Sequence, residues 1–258
     1  MKDKVIVIVG PTGSGKTGVS IEIAREVEER GIGGFSRVEI ISADSRAIYK
    51  GMDIGTAKPT RSEQEQVKHW GIDLVEPDER FTVFDWKKYA EEKIEEIFRR
   101  GNLPIIVGGT GLYVDALIYD YQFGVNKKVV QHELGEYPDR KKMCSRYKIF
   151  GVKAEPKVLK ERLRERANKL FIQELYDETN ELVKKYGWGS QAMKSNIYQF
   201  AWRYMNGELS REEAIELNIY DDYHLAKRQM TWSKRNENIL WLPLDKIKAA
   251  VIKCIQDE

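Results

Sequence analysis

Short apolar runs alternate with segments of helical periodicity along most of the chain. The runs are rich in Val and Ile and too short for helices, so they predict buried strands. They lie at residues 5–9, 38–42, 72–75, 103–107, 147–152 and 239–242. Strands that alternate with helices in this way are typical of an α/β fold with a parallel sheet.

Apolar residues at intervals of three and four predict the helices. The clearest helix covers 83–100, where Ala90, Ile94 and Ile97 share one face and Gly101 ends the pattern. Further helices are predicted at 16–30, 155–186, 192–206 and 247–255, at 211–235 with a break near 221–222, and in a segment that ends at 117. No period holds from 118 to 146, and we interpret this stretch as a loop or a reduced insertion.

Positive charge is concentrated in the second half of the chain. The formal net charge is +2, but residues 141–235 contain 20 Lys and Arg against 13 Asp and Glu. This excess favours a polyanionic partner, although a solvated helical surface of mixed charge would have the same composition. We divide the chain into a core at 1–152, with the reduced insertion at 118–146, a basic helical lobe at 153–236, and a strand and helix at 237–258 that return to the core.

The chain carries few signs of disulfides, structural metals or a membrane. Cys144 and Cys254 are the only cysteines, and the three histidines are scattered singly. Neither a disulfide framework nor a zinc site is therefore expected. No apolar run approaches the length of a membrane span, and the residues before the first strand do not resemble a signal peptide. We expect a cytoplasmic monomer with no membrane partner.

The first predicted strand leads into a phosphate-binding loop. The pattern G-x-x-x-x-G-K-[ST] is complete between that strand and the next helix, which is the context that such a loop requires. Its residues are Gly10, Pro11, Thr12, Gly13, Ser14, Gly15, Lys16 and Thr17. The glycines let backbone amides point inward, Lys16 supplies a positive charge, and the Thr17 hydroxyl can ligate Mg²⁺. We expect a P-loop NTPase-like core that binds a di- or triphosphate ligand.

Polar residues also follow two other predicted strands. Asp44 and Ser45 follow the strand at 38–42, and a glycine-rich corner at 108–111 follows the strand at 103–107. Because the carboxyl ends of parallel strands meet at one edge of a sheet, we expect both corners to lie beside the P-loop. Spacing alone favours the simpler interpretation that Asp44 or Ser45 caps a short helix through Tyr49.

Spacing also supports a P-loop kinase. Such enzymes use an acidic residue at a strand end to hold Mg²⁺, and they often add arginines over the transferred phosphoryl group. Asp44 fits the first role, and Arg162, Arg164 and Arg166 could form the arginine lid. A nucleotide or metabolite kinase is therefore one hypothesis that the residues leave open.

Five longer phrases, read together, resemble the bacterial tRNA dimethylallyltransferases, also called isopentenyl-diphosphate:tRNA transferases. They lie at 10–17, 40–46, 51–59, 108–113 and 225–232. The Asp-Ser-Arg phrase and the phrase Gly-Met-Asp-Ile-Gly-Thr-Ala-Lys-Pro are much more specific than the P-loop. His69, Ile72 and Asp73 also fit the family's His-His-x-Ile-Asp pattern, with Trp70 in place of the second histidine. The resemblance covers most of 4–117 and returns from about 147 to 242.

The resemblance implies a prenyl transfer. Dimethylallyl diphosphate would give its five-carbon group to the exocyclic N6 of the adenine just 3′ of the anticodon, position 37, and the anticodon stem-loop of tRNA would be the partner. The P-loop would hold the departing diphosphate with Mg²⁺ as cofactor. Asp44 matches the family's catalytic aspartate, which would accept the N6 proton, and Thr110 and Arg228 match positions at the diphosphate or the reacting centre. The residues implied in tRNA binding are Asp44, Ser45, Arg46, Ala47, Thr110 and Lys227.

Three departures from the family pattern concern tRNA recognition. Ala47 stands where the family has Gln, which removes an amide expected to touch the target nucleotide. The family's Ile-Gly-Tyr phrase reads Asn-Ile-Tyr at 196–198. The family's helical tRNA-binding insertion, with its run of Asn, Asp and Arg, has no counterpart here, and the stretch at 118–146 is too short for it.

Besides the kinase, two rivals remain. The acceptor could be a free adenine nucleotide, as in the adenylate isopentenyltransferases. The basic lobe and the tRNA-type sequence motif at 51–59 argue against this alternative. The chain could also be a catalytically weak RNA-binding relative that lost the insertion. Aromatic residues in the basic half, Trp188, Tyr198, Trp202 and Trp232, are available to stack on a base, but most are expected to pack inward as core.

Overall fold

A six-stranded parallel sheet runs through the centre of the molecule in the computed structural model, which describes residues 4–123 and 143–257. The strands are β1 (Val5–Val9), β2 (Val38–Ala43), β3 (Lys68–Trp70), β4 (Leu103–Gly108), β5 (Tyr147–Lys153) and β6 (Ile239–Pro243). Their order is β3-β2-β4-β1-β5-β6, and every neighbouring pair is parallel. The α/β fold with a parallel sheet is therefore confirmed.

The helices include some that cover the two faces of this sheet and others that lie beyond it. They are α1 (Lys16–Arg30), α2 (Arg61–Gln66), α3 (Val83–Arg99), α4 (Gly111–Ile118), α5 (Pro156–Leu170), α6 (Gln173–Tyr186), α7 (Asn196–Met205), α8 (Arg211–Ser233) and α9 (Leu244–Gln256). Successive side chains of a strand point to opposite faces. In β1, Val5 and Val7 therefore join the core under α3 and α4, whereas Ile6 and Ile8 join the core under α1 and α9.

The register of the central strands brings their carboxyl ends level. Val9 at the end of β1 lies opposite Gly108 of β4, and Ala43 at the end of β2 lies opposite the same glycine. The P-loop, the residues after β2 and the residues after β4 therefore leave the sheet at one point. This alignment builds the edge at which the sequence predicts the chemistry.

Helices α5 to α8, called the helical lobe below, enclose a separate apolar core. Phe171, Leu175 and Tyr198 are fully buried in it, together with Ile48 and Met52 from the segment after β2. The lobe thus packs directly on the chain that leads into residues 51–59.

The four aromatic residues named from the sequence mostly pack inward. Tyr198 is fully buried, and the rings of Trp188 and Trp202 meet edge to face at 5.8 Å between centroids. Trp232 is half-buried at the end of α8, where its indole N–H donates to Asp115 of α4 at 2.8 Å. These contacts make them parts of the packing between elements.

Two predicted strand and turn assignments differ from the structure. The strand expected at 72–75 lies instead at Lys68–Trp70, and only Val75 forms a single bridge, to Tyr49. Asp73 has a φ of 52°, which breaks extended backbone in the predicted segment. The short helix expected through Tyr49 is a series of turns at 45–48, although Asp44 does accept a hydrogen bond from the Arg46 N–H, as a capping residue would.

The helices of the lobe also differ in their ends. The helix expected at 155–186 is two helices, because the chain turns at Phe171 to bury that side chain in the lobe core. The helix expected at 192–206 begins with a 3₁₀ turn at Ala192–Lys194. The expected break near 221–222 is absent from α8, where Asp222 forms an ion pair with Arg166 and remains in the helix.

The stretch at 118–146 belongs only in part to the described structure. Residues 119–123 and 143–146 adopt turns and irregular backbone, and the other residues of this predicted insertion, 124–142, lie outside the described residues. In the described ranges, no helix has the length and apolar character needed to cross a bilayer.

Candidate active site

A cleft of about 580 Å³ opens at the carboxyl edge of the sheet. Of the residues singled out in the sequence, it is lined by 12–17, 44–47, Thr110 and Arg228. Gly10 and Pro11, the first two residues of the P-loop, are buried and do not line the cleft, and Lys227 also lies outside the lining. The structure therefore brings together nearly all of the predicted site, from three strand ends and α8.

The P-loop has the backbone that a phosphate cradle needs. Gly15 caps α1 with a φ of 91°, in the left-handed region that glycine favours, and a Cβ there would lie 2.8 Å from the Leu244 side chain. The free N–H groups at the start of α1 therefore face the cleft with their partial positive charge. Lys16 crosses the loop, and its ammonium donates to the Pro11 carbonyl at 2.8 Å.

The charge of Lys16 is sensitive to its surroundings. Burial lowers the pKa of its ammonium to about 8, the Asp44 carboxylate raises it in part, and the nearby Arg166 guanidinium lowers it. A bound diphosphate would add negative charge beside this ammonium and favour its protonated form. The site is therefore arranged to bind an anion at Lys16.

Two hydroxyl groups of the P-loop are not used by the protein. Ser14 is fully buried, and its Oγ has no hydrogen-bond partner in the described structure. No hydrogen bond among the described residues engages the Thr17 hydroxyl, which lines the cleft. The described residues contain no cluster of three His, Cys, Asp or Glu side chains that could hold a metal. A Mg²⁺ ion held by Thr17 and by substrate phosphate oxygens fits this donor set, since Mg²⁺ often takes few protein ligands.

Helices α5 and α8 of the helical lobe hold the P-loop through side-chain hydrogen bonds. Arg166 of α5 donates to the Thr12 hydroxyl at 2.9 Å and pairs with Asp222 of α8 at 2.7 Å. Arg162, one turn earlier, donates to the Ser14 carbonyl at 3.1 Å, and Gln229 of α8 accepts from the Thr12 N–H at 2.7 Å. Two helices thus fix the position of the loop.

Of the three arginines considered as a lid, Arg164 does not reach the loop. It pairs with Glu216 on the outside of the lobe at 2.8 Å. Arg162 and Arg166 are four residues apart and share a helix face, whereas Arg164 lies between them and points elsewhere. Helical spacing is the signal in the sequence that separates them.

Asp44 lies at the end of β2 with one oxygen engaged. Its Oδ1 accepts from the Arg46 N–H at 2.8 Å, and no hydrogen bond among the described residues engages Oδ2. Thr110 aligns this turn, because its hydroxyl accepts from the Ser45 N–H at 3.0 Å and its N–H donates to the Ala43 carbonyl at 3.1 Å. A carboxylate oxygen that lies free beside a phosphate loop can accept a proton from a bound substrate.

The other predicted contacts have different surroundings. Arg228 lines the cleft, and no hydrogen bond or ion pair among the described residues engages its guanidinium. Arg46 donates to the backbone carbonyl of Gln191 at 3.3 Å, so it ties β2 to the lobe. Ala47 is buried, and the Lys227 ammonium lies 4.8 Å from the centre of the Tyr223 ring on the far side of α8.

His69 lines the cleft, although it is not among the predicted site residues. Its Nδ1–H donates to the Val67 carbonyl at 2.7 Å, which fixes the neutral tautomer with Nε2 as an acceptor. Burial lowers the pKa of the ring, so it stays neutral at neutral pH. Nε2 has no partner among the described residues. The fit of His69 to a motif with Ile72 and Asp73 is the signal in the sequence for this residue.

Comparison with known proteins places the chain in one family. The chain matches the IPP transferase family over residues 47–143 and 135–236. It is 34% identical to the tRNA dimethylallyltransferase of Pelotomaculum thermopropionicum, with 95% of this chain and 92% of the relative covered. It is 35% identical to the enzyme of the same name from Acetivibrio thermocellus, with 94% of this chain and 92% of the relative covered.

A solved structure has the same fold. The tRNA delta(2)-isopentenylpyrophosphate transferase of Staphylococcus epidermidis is 30% identical and superposes with a TM-score of 0.79, over 98% of this chain and 97% of that one. The alignment to the Pelotomaculum relative runs over 298 positions, whereas this chain has 258 residues. The relative therefore contains residues that this chain lacks, and the reduced insertion at 118–146 stays a prediction.

Proposed function

The chain belongs to the IPP transferase family, and we propose that it transfers the dimethylallyl group of dimethylallyl diphosphate to N6 of the adenine at position 37 of tRNA. The chain is a transferase of the tRNA-prenylating kind, like its relatives. The choice of N6, of position 37 and of the anticodon stem-loop is our proposal. The observation that carries it is the free Asp44 oxygen in the same cleft as the P-loop.

The P-loop binds the diphosphate that leaves. Lys16 and the N–H groups at the start of α1 surround the developing negative charge, and Arg228 adds a guanidinium from α8. A Mg²⁺ ion at Thr17 would neutralise further charge on the diphosphate. Because the group that these residues stabilise departs, no attacking water has to be positioned.

Asp44 accepts the proton of the acceptor nitrogen. N6 of adenine attacks the first carbon of the dimethylallyl group, and the bond from that carbon to the diphosphate oxygen breaks, with its electron pair leaving on the diphosphate. The N6 proton goes to Asp44 Oδ2. Thr110 holds the Asp44 turn in place through Ser45, and we propose that its hydroxyl also lies near the reacting centre.

The acceptor base has to enter the cleft from outside. An adenine in an anticodon loop can leave its stack at a cost of a few kcal/mol, which contacts in the cleft offset. Ser45 and Arg46 lie at the cleft and are proposed contacts of the nucleotide. Lys227 would meet tRNA only outside the cleft, on the face of α8 that carries Tyr223. The cytoplasmic location and monomeric state stay predictions.

The test uses two acceptors and one donor. The protein is incubated with Mg²⁺, dimethylallyl diphosphate and either unmodified tRNA or AMP, and the nucleosides are analysed by mass. We expect prenylated adenosine from tRNA alone. Prenylated AMP would support the adenylate rival, and ATP-dependent phosphorylation in place of prenylation would support the kinase; either result rejects the proposal.

A pH dependence follows from Lys16. We expect kcat/KM for dimethylallyl diphosphate to fall as the pH rises through about 8, because the Lys16 pKa is lowered to that value and the ammonium is lost above it. When dimethylallyl diphosphate saturates the enzyme, the bound anion stabilises the Lys16 ammonium. We therefore expect kcat to fall only at a higher pH than kcat/KM. Both profiles are measured with tRNA in excess, over a range that brackets pH 8. Profiles that coincide would contradict the role of Lys16 charge.

A further inference from the structure

Glu178 of α6 accepts four hydrogen bonds, none of them from its own helix. Its Oε2 accepts from the N–H groups of Asp53 and Ile54, both at 2.9 Å. Its Oε1 accepts from the Gly55 N–H at 2.9 Å and from the Tyr198 hydroxyl at 2.8 Å. Hydrogen bonds to a carboxylate are stronger than neutral ones, and a Gln side chain has only one acceptor oxygen. The arrangement therefore specifies an acid at this position.

The loop that Glu178 holds, 51–59, is anchored independently at its base. The buried Lys58 ammonium donates to the Tyr49 carbonyl at 2.5 Å and pairs with Asp53 at 2.6 Å and Asp73 at 2.5 Å. These bonds all lie within the segment 49–73. The loop would thus keep its base without Glu178, and Glu178 determines where residues 53–55 lie relative to the lobe.

The loop tip lies directly on the lobe. A Cβ at Gly55 would lie 2.5 Å from Cζ of Tyr198, so the backbone touches the aromatic ring and no larger residue fits there. Tyr198 is itself fully buried. A shift of this loop away from α6 and α7 would therefore move backbone, and not only a flexible side chain.

Residues 55–59 form part of the wall of the active-site cleft, whereas neither Glu178 nor Tyr198 lines it. The P-loop depends on other contacts, from α5 and α8 through Thr12 and Ser14. A change at Glu178 should therefore move the wall and leave the diphosphate site in place.

We propose that Glu178 is a positioning residue for the tRNA substrate. By holding the N–H groups of 53–55, it keeps the cleft wall at the distance from Asp44 that admits the acceptor base. The proposal rests on the proposed function, because it assigns the wall to the acceptor and the P-loop to the donor. This role also explains the sequence motif at 51–59, because the backbone N–H groups of that segment bind the Glu178 carboxylate of the helical lobe.

The test is a separation of the two Michaelis constants. We expect Glu178→Gln to raise KM for tRNA about tenfold, since charge-assisted hydrogen bonds are lost, while KM for dimethylallyl diphosphate and kcat change by less than about threefold. Tyr198→Phe removes one of the four bonds and should raise KM for tRNA about threefold. Melting curves of each variant establish that the assay temperature lies below unfolding.

Glu181→Gln is the matched control, because Glu181 is an exposed acid on the same helix. It should leave both constants unchanged. An unchanged KM for tRNA in Glu178→Gln, or an equal rise for both substrates, would overturn the positioning role while the proposed function stands. A wild-type protein that prenylates no tRNA would instead reject the proposed function.

Discussion

Replacing Asp44 with Asn should lower kcat for tRNA prenylation about 1,000-fold, because proton acceptance by a positioned carboxylate contributes roughly 10²–10⁴ to such rates. The amide has the same shape and can still accept the Arg46 N–H, so the turn after β2 should persist. Binding of tRNA and of inorganic diphosphate should therefore remain close to that of the wild type. Single-turnover rates and equilibrium binding measure the two effects separately.

The matched control for this variant is Asp78→Asn, which removes the same charge from an exposed position outside the cleft. It should leave the rate unchanged. A rate in Asp44→Asn within a few-fold of the wild type would remove Asp44 from the mechanism. A loss of tRNA affinity equal to the loss of rate would instead make Asp44 a binding residue.

Local pattern is sufficient to predict most of the sheet and the P-loop. The strand 5–9 and the helix 16–30 have in the structure the bounds that the sequence predicts. Their signals are local, since an apolar run and a helical period both lie within the segment itself. The site could be predicted at the edge of the sheet because parallel strands align their ends, as Val9, Ala43 and Gly108 do.

The segment after β2 could not be predicted in the same way. Its conformation is decided by contacts with residues far along the chain, and these leave no local period. Glu178 lies more than 120 residues from the loop that it binds. In the segment 72–75, where a strand is predicted, Asp73 has a φ of 52° and pairs with Lys58, a residue outside the segment.

Two neighbouring residues of α8 show that a matching sequence motif does not by itself place every one of its side chains in the site. Lys227 and Arg228 are adjacent in a phrase that resembles a known family, and the resemblance assigns both to the site. Neighbours on a helix point about 100° apart, so adjacent residues do not have to share one face. The face toward the cleft carries Asp222, Leu225 and Arg228, and Lys227 lies on the other side. The helical period of the segment is therefore a better guide to these two side chains than the phrase that contains them.

Replacing Lys16 with Met should weaken binding of inorganic diphosphate and lower kcat/KM for dimethylallyl diphosphate by about 100-fold, since one group that stabilises developing charge is worth roughly 10²–10³ in rate. The apolar stem of the side chain is kept, and only the ammonium is lost. Because burial lowers the pKa of this ammonium, folding disfavours its charge, and the variant should not melt earlier for electrostatic reasons. Calorimetry with diphosphate measures the binding directly.

Lys157→Met is the control, because Lys157 is an exposed lysine in the first turn of α5 and outside the cleft. It should bind diphosphate as the wild type does. The two variants separate the functions of the cleft. Asp44→Asn should lose proton transfer and still bind diphosphate, whereas Lys16→Met should lose diphosphate binding and still bind tRNA. If Lys16→Met bound diphosphate normally, the P-loop would not be the donor site. The donor and acceptor sites that we assign to the cleft would then have to be exchanged.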